Sequence, residues 1–240
     1  MFNICVIVPA YNEEENIASV ITSLRDYDPS WHVAVIDDGS IDQTAAKALA
    51  TGHATVLSLP CNLGIGGGVQ TGFKFAKRQD FDIAIQFDGD GQHIASEIPK
   101  LVAPILADEA DVVIGSRFVS RAQDGFKSTR ARRMGIKVFE ILNTLLIGQR
   151  ITDSTSGFRA YNRRAISVLS RYYPVDFPEP EAIILLGRNR FRIREVPVLM
   201  QERQGGQSSI SGFKSFYYMV KVVLSILVAS IRPPLRPGSF

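Results

Sequence analysis

The chain has 240 residues, 45% of them hydrophobic, enough for one full-sized core with at most a short C-terminal appendage. Its formal charge of +3 is too small to argue for nucleic acid as a partner, and 19 Gly with 12 Pro point to many loops rather than to disorder. Cys5 and Cys61 lie far apart in apolar surroundings and are expected as free thiols in a reducing compartment. The chain starts directly with an apolar segment, without a basic stretch or cleavage site, so no secretory signal is expected. No uncharged apolar run reaches the roughly 18 residues of a spanning helix. The nearest, residues 213–231, is interrupted by Lys214 and Lys221.

Residues 3–8 form an almost continuous apolar run closed by Pro9, the pattern of a strand covered on both faces. Residues 12–24 carry Ile17, Val20, Ile21 and Leu24 at helical spacing, and Glu13, Glu14 and Glu15 would complement the dipole of a first turn. A second strand is expected over residues 32–36, followed by Asp37-Asp38-Gly39-Ser40 and a helix from near Asp42. A third strand over 55–59 leads through a glycine-rich turn to a helix over 67–77, and a fourth over 83–87 ends at Asp88. Strands alternating with helices indicate an α/β fold with a mostly parallel, doubly wound sheet and helices on both faces. Further on, the pattern gives a strand over 111–114, a basic stretch over 121–137 and an apolar helix over 138–147. A polar turn-rich segment over 153–159, an acidic segment over 176–181, a short helix over 182–186 and a late strand over 192–199 follow.

Ligands of such sheets bind at the carboxyl ends of the strands. The polar groups of this chain fall there: residues 11–13, 37–40, 62–68 and 88–93. Asp88-Gly89-Asp90 sets two carboxylates two positions apart, able to converge on one hard cation, with a glycine that lets the backbone approach a phosphate. Read alone, Asp-Gly is also a turn signal. Gln92 and His93 add polar groups at the same strand end. A carboxylate of Asp37 or Asp38 could accept hydrogen bonds from a base or ribose, or cap the next helix. The run Gly64-Ile65-Gly66-Gly67-Gly68 follows the third strand, has Val69 where a dinucleotide fingerprint needs Gly or Ala, and reads as a tight loop passing close to a ligand.

Pro9-Ala10-Tyr11-Asn12-Glu13, Asp37-Asp38-Gly39-Ser40, Asn62-x-Gly64, Asp88-Gly89-Asp90-Gly91-Gln92-His93, Gly115-Ser116-Arg117 and Ser156-Gly157-Phe158-Arg159 occur in the order seen in glycosyltransferase family 2. Over roughly residues 3–210 the chain most resembles the polyprenyl-phosphate sugar synthases of that family. The resemblance implies a GT-A fold, an inverting metal-dependent transfer, and Mg²⁺ or Mn²⁺ on the diphosphate of a nucleotide-sugar donor. It implies that Pro9, Tyr11, Glu13, Asp37 and Asp38 hold the nucleoside with Asn62 and Gly64 beside it, and that Asp88, Asp90 and Gln92 hold the metal and diphosphate. Arg117, Arg159 and Arg203 would face phosphates. The family's late Arg-x-x-Gly-x-Ser-Lys pattern ends here in Ser209 instead of Lys, with Lys214 or Arg130 as substitutes for that cation, and Ile65 stands where relatives often carry Lys.

An ionised polyprenyl phosphate needs cations for docking and no general base, whereas a sugar hydroxyl on a lipid-linked saccharide needs a base within hydrogen-bond reach. Glu181 is the candidate base, with a helix-start carboxylate as the alternative reading of that residue. The basic stretch before the apolar helix, and the aromatic and lysine residues of the last helix, suggest a peripheral enzyme on the cytoplasmic face of a membrane. The expected division is a catalytic domain over 1–210 and an amphipathic helix and tail over 211–240, on lipid or on a small membrane-protein partner.

Overall fold

The computed structural model describes residues 2–119, 140–201, 213–233 and 235, with the backbone alone for 213–220. The basic stretch 121–137 with Arg130, the start of the helix expected from Val138, Arg203 and Ser209 lie outside the described residues.

Seven strands, β1 (Ile4–Ala10), β2 (His32–Asp37), β3 (Ala54–Ser58), β4 (Ile83–Gln86), β5 (Val112–Ser116), β6 (Arg159–Asn162) and β7 (Ile193–Pro197), form one sheet in the order β3-β2-β1-β4-β6-β5-β7. The pairs β1–β2, β1–β4, β2–β3 and β5–β7 are parallel, and β6 runs antiparallel between β4 and β5. The sheet is therefore mixed, with one reversed strand in the middle. Pro9 does not close β1. Since β4 ends with Gln86 opposite Ile7, the N–H that Pro9 lacks falls beyond the last rung on that side.

The two faces of the sheet come from the alternation of side chains along each strand. Val6, Val8, Val33, Val35 and Ile85 point to one face, where α1 (Ile17–Tyr27), α2 (Thr44–Ala50) and α4 (Ile98–Leu106) bury Ile17, Ile21, Leu24, Ala48, Ile98 and Leu101. Cys5, Ile7, Ala34, Ile36 and Ala84 point to the other, covered by α3 (Gly64–Arg78), α6 (Arg163–Tyr172) and α7 (Pro178–Arg188) through Val69, Phe73, Ile166, Leu169, Ile183 and Leu186. Each fully buried aliphatic side chain contributes about 1.5–3 kcal/mol. Burial pushes the Cys5 thiol up to about 12, whereas Cys61 is exposed, against the expectation of an apolar setting; both are free thiols.

The described part of α5, residues 140–147, and the long α8 (Phe213–Ile231) stack outside α7, with Leu146, Ile147, Val222 and Ile226 gathered around Ile184. Among the described residues no helix is long and apolar enough to cross a membrane.

Two local differences from the sequence reading shape the site. The first helix starts at Ile17 rather than at Asn12. Asn12 has φ 54°, and the N–H groups of residues 12–14 go to the Ser40 and Thr44 hydroxyls and the Asp42 carboxylate instead of into a helical turn. The glycine run at 64–68 is not a loop but the first turns of α3. Glycine is needed there because a Cβ on Gly66 would stand 2.6 Å from the carbonyl oxygens of Pro174 and Val175.

Candidate active site

β1, β2 and β4 run parallel, so the segments that follow them emerge at one edge of the sheet. The chain winds from β1 outward to β2 and β3, then returns past β1 to β4. The crevice between the ends of β1 and β4 is thus the switch point where ligands of doubly wound sheets bind. A cleft of about 350 Å³ opens there, lined by Pro9, Tyr11 and Glu13 after β1, Asp38 after β2, Asn62, Gly64 and Ile65 at the start of α3, and Asp88 and Asp90 after β4. Segments as far apart in sequence as Pro9 and Asp90 are brought together.

Short polar bonds hold the walls. Asp38 accepts the N–H of Leu63 at 2.8 Å and Asn62 accepts that of Gly64 at 2.9 Å, locking the loop after β2 to the start of α3. Glu13 accepts the Asn16 amide at 2.9 Å. Asp37 differs from its expected role: it is buried, is not part of the cleft lining, and accepts the N–H of Ser40 at 3.1 Å to hold the turn.

Asp88 is the centre of the opposite wall. Its N–H is donated to His93 Nδ1 at 2.9 Å, so the other nitrogen of the neutral ring carries the proton and lies 3.6 Å from Asp88 Oδ2. The ring stacks on Phe158 at 4.6 Å, and burial pulls the His93 pKa down to about 4, keeping it uncharged. His93 is therefore a buried strut. Burial and then the charge of Asp90 push the Asp88 carboxyl up to about 7. A Cβ on Gly157 would stand 2.7 Å from Asp88 Oδ2, so the glycine of Ser156-Gly157-Phe158-Arg159 is what admits this carboxylate.

Two crowded carboxylates form an all-oxygen donor pair that suits Mg²⁺ or Mn²⁺. Among the described residues no three His, Cys, Asp or Glu side chains form a ready-made cage. A cation held by Asp88 and Asp90 would complete its shell with diphosphate and water oxygens, the usual arrangement for Mg²⁺. Gln92 is not in the cleft lining; its N–H bonds Asp90 Oδ1 at 3.0 Å and its carbonyl accepts from Gln201, so it shapes the turn.

The arginines divide. Arg117, at the end of β5, is partly exposed and acts electrostatically on Asp88, with its Nε and Nη2 paired to Asp153 at 2.8 and 2.7 Å. Arg159 departs from expectation: it is 1% exposed, and its Nε, Nη1 and Nη2 donate to the carbonyls of Ser156, Glu179 and Ser154. It ties β6 to the preceding loop and to α7, and reaches Asp88 only through its field. Glu181 also departs. It lines a second cavity of about 430 Å³ with Asp176, Arg188 and Arg232, where burial raises its pKa. The acidic residue that shares a field with Asp88 and Arg159 is Glu179, whose pKa burial raises. The alternation of acids and prolines at 176–181 did not distinguish the two, because which carboxylate turns inward depends on the phase of α7.

The chain matches the profile of Glycosyl transferase family 2 over residues 5–169. It is 31% identical to the UDP-N-acetylglucosamine–dolichyl-phosphate N-acetylglucosaminyltransferase of Methanococcus voltae, across 90% of this chain and 94% of that protein. It is 32% identical to the undecaprenyl-phosphate mannosyltransferase of Micrococcus luteus, across 87% of this chain and 88% of that one. Among solved structures it resembles glucosyl-3-phosphoglycerate synthase from Mycobacterium tuberculosis, seen in complex with Mn²⁺, UDP-glucose and phosphoglyceric acid. The TM-score is 0.71 at 22% identity, covering 97% of this chain and 81% of that one. That likeness carries the fold, and the relatives carry the family. With the ordered strand-end motifs meeting in one cleft, the chain belongs to glycosyltransferase family 2.

Proposed function

We propose that the protein transfers a sugar, with inversion, from a nucleotide-sugar donor to a polyprenyl phosphate at the cytoplasmic face of a membrane. The observation that carries this reading is the Asp88–Asp90 pair facing Asp38, Asn62 and Glu13 across one cleft, in a chain whose relatives are named as polyprenyl-phosphate sugar transferases. The β1 and β2 side of the cleft suits a nucleoside: Tyr11 offers a half-exposed ring and Asp38 a carboxylate. Asp88 and Asp90 would hold Mg²⁺ or Mn²⁺, which when bound neutralises charge on the leaving diphosphate. Arg117, held by Asp153 and acting on Asp88 through its charge, is a fixed cation suited to a phosphate of donor or acceptor.

The choice of acceptor rests on where, among the described residues, the acidic side chains of the 176–181 segment fall. Glu181 lies in the other cavity, and Glu179 is not among the lining residues. An acceptor that arrives ionised needs neither. This favours the phosphate over a sugar hydroxyl of a lipid-linked saccharide. Purified protein given Mn²⁺ and labelled UDP-, GDP- and dTDP-sugars should label undecaprenyl phosphate with one of them. Label found only in an added lipid-linked saccharide would overturn the acceptor, and label in neither lipid would overturn the transfer.

A further inference from the structure

The family motifs leave unexplained a carboxylate on the edge strand β7. Glu195 is not among the cleft-lining residues, yet both its oxygens are engaged. Oε2 accepts the N–H of Thr152 at 2.8 Å and the Thr152 hydroxyl at 2.9 Å, and Oε1 accepts the N–H of Asp153 at 2.6 Å. Asp153 in turn is fully buried, and its carboxylate is held by Arg117: the backbone N–H and Nε on Oδ2 at 3.1 and 2.8 Å, Nη2 on Oδ1 at 2.7 Å, with the Thr155 hydroxyl beside Oδ1 at 3.4 Å. Charge-assisted bonds in a fork of this kind fix both the position and the plane of a guanidinium. Asp153 takes the Nε–Nη2 edge, and among the described residues Nη1 makes no hydrogen bond. Arg117 also influences Asp88 electrostatically, and Gly157, on the same loop as Asp153, packs directly against the Asp88 carboxylate, so the loop that carries the fork abuts the acidic wall of the cleft.

We propose that Glu195 is a positioning residue for transfer, acting through the 152–153 backbone and the Asp153 fork to aim Arg117 at a phosphate bound beside Asp88. Two hydrogen bonds to consecutive N–H groups prevent that loop from rotating, and rotation would swing the Asp153 carboxylate and Arg117 with it. A carboxylate is required because three donors converge on it. Glutamine offers one acceptor oxygen and turns an N–H₂ group toward a donor. A purely structural staple would make the same bonds without any consequence for phosphate recognition, and the two roles are separable by experiment.

The inference rests on the proposed donor site, so the probes are nucleoside phosphates: UDP, GDP and dTDP with Mn²⁺, and the corresponding monophosphates, titrated into the full chain by calorimetry. If wild type binds none of the diphosphates, the donor-site reading fails and this inference with it. Given a diphosphate that binds, Glu195→Gln should weaken it about tenfold while leaving the monophosphate within twofold, since Arg117 is aimed at the outer phosphate. In an Arg117→Ala background the same substitution should cause no further loss, because residues acting through one group are not additive. Equal weakening of mono- and diphosphate, or an additive loss in the double variant, would overturn the proposal. Should Glu195→Gln not fold, Thr152→Val, which removes one bond to Glu195, should show the same pattern at smaller amplitude, and an unchanged diphosphate affinity there would overturn it equally.

Discussion

Gly157 packs against Asp88 with no room for a side chain. A methyl group at residue 157 would stand 2.7 Å from one oxygen of Asp88 and 3.0 Å from the other, so alanine there must displace the carboxylate. Gly157→Ala should therefore cost about 1–3 kcal/mol of stability by overpacking. Turnover should fall on the order of 100-fold, because a shift near 1 Å in a positioned group has that effect. Thermal unfolding and steady-state rates measured on one preparation separate the two; a rate within threefold of wild type would show that Asp88 is not a positioned group. At this scale the sequence was informative about residue type and poor about direction. Asp88, Asp90, Asp38 and Asn62 were readable because each follows a strand whose end is fixed by the fold. Arg159 and Glu181 were not, since a charged side chain near a motif can equally point inward, and the carbonyls of Ser154, Ser156 and Glu179 absorb the guanidinium donors of Arg159.

At the scale of elements, strands buried on both faces were legible as apolar runs, and β1, β2, β4 and β5 lie within two residues of expectation at each end. β6 was not, because four residues reading Arg-Ala-Tyr-Asn carry no apolar run, and its pairing with β4 and β5 is set by tertiary contacts. α6 begins at a recognisable cap, Asn162 accepting the N–H of Ala165, but its amphipathic stripe follows directly on that hidden strand. α8 is the element whose outward face offers a role to test. Val222 and Ile226 are buried against α7, whereas Leu224, Leu227, Val228 and Ile231 form a second apolar stripe that is 39–81% exposed. The helix carries no acidic residue, and the exposed Lys221 and Arg232 bracket the stripe. Anionic lipid matches both features, each basic residue adding about 1 kcal/mol near such a surface. Leu227→Glu with Val228→Glu should leave the unfolding temperature nearly unchanged, since both side chains are outside the core. The same variant should abolish flotation with vesicles of phosphatidylcholine and phosphatidylglycerol. Retained flotation would remove this face from the membrane, and a change of sedimentation without lipid would assign it to a second copy or a protein partner.

At the scale of the whole molecule, the charge of the cleft links stability to pH. The Asp88 carboxyl is pushed up to about 7 from an ordinary 3.8, by burial and then by Asp90. The folded protein therefore binds this proton more tightly than the unfolded chain. The resulting stabilisation is fully present below pH 3.8 and is lost as the pH rises through 7. Glu179, Glu181 and Glu195 are raised by burial and act in the same direction. His93, held near 4 against an ordinary 6.5, acts oppositely, its contribution being lost as the pH falls toward 4. The raw stability profile mixes these groups, so the informative quantity is the difference between wild type and Asp88→Asn in metal-free buffer. Wild type should lose stability relative to the variant as the pH rises from 4 to 8. At pH 7.5, Mn²⁺ with a nucleoside diphosphate should raise the unfolding temperature of wild type by more than the two ligands added separately, because neither alone completes the cation's oxygen shell. Asp88→Asn should lose that synergy. A difference curve flat with pH, or synergy that survives in Asp88→Asn, would place the charge of this cleft, and its cation, on residues other than Asp88.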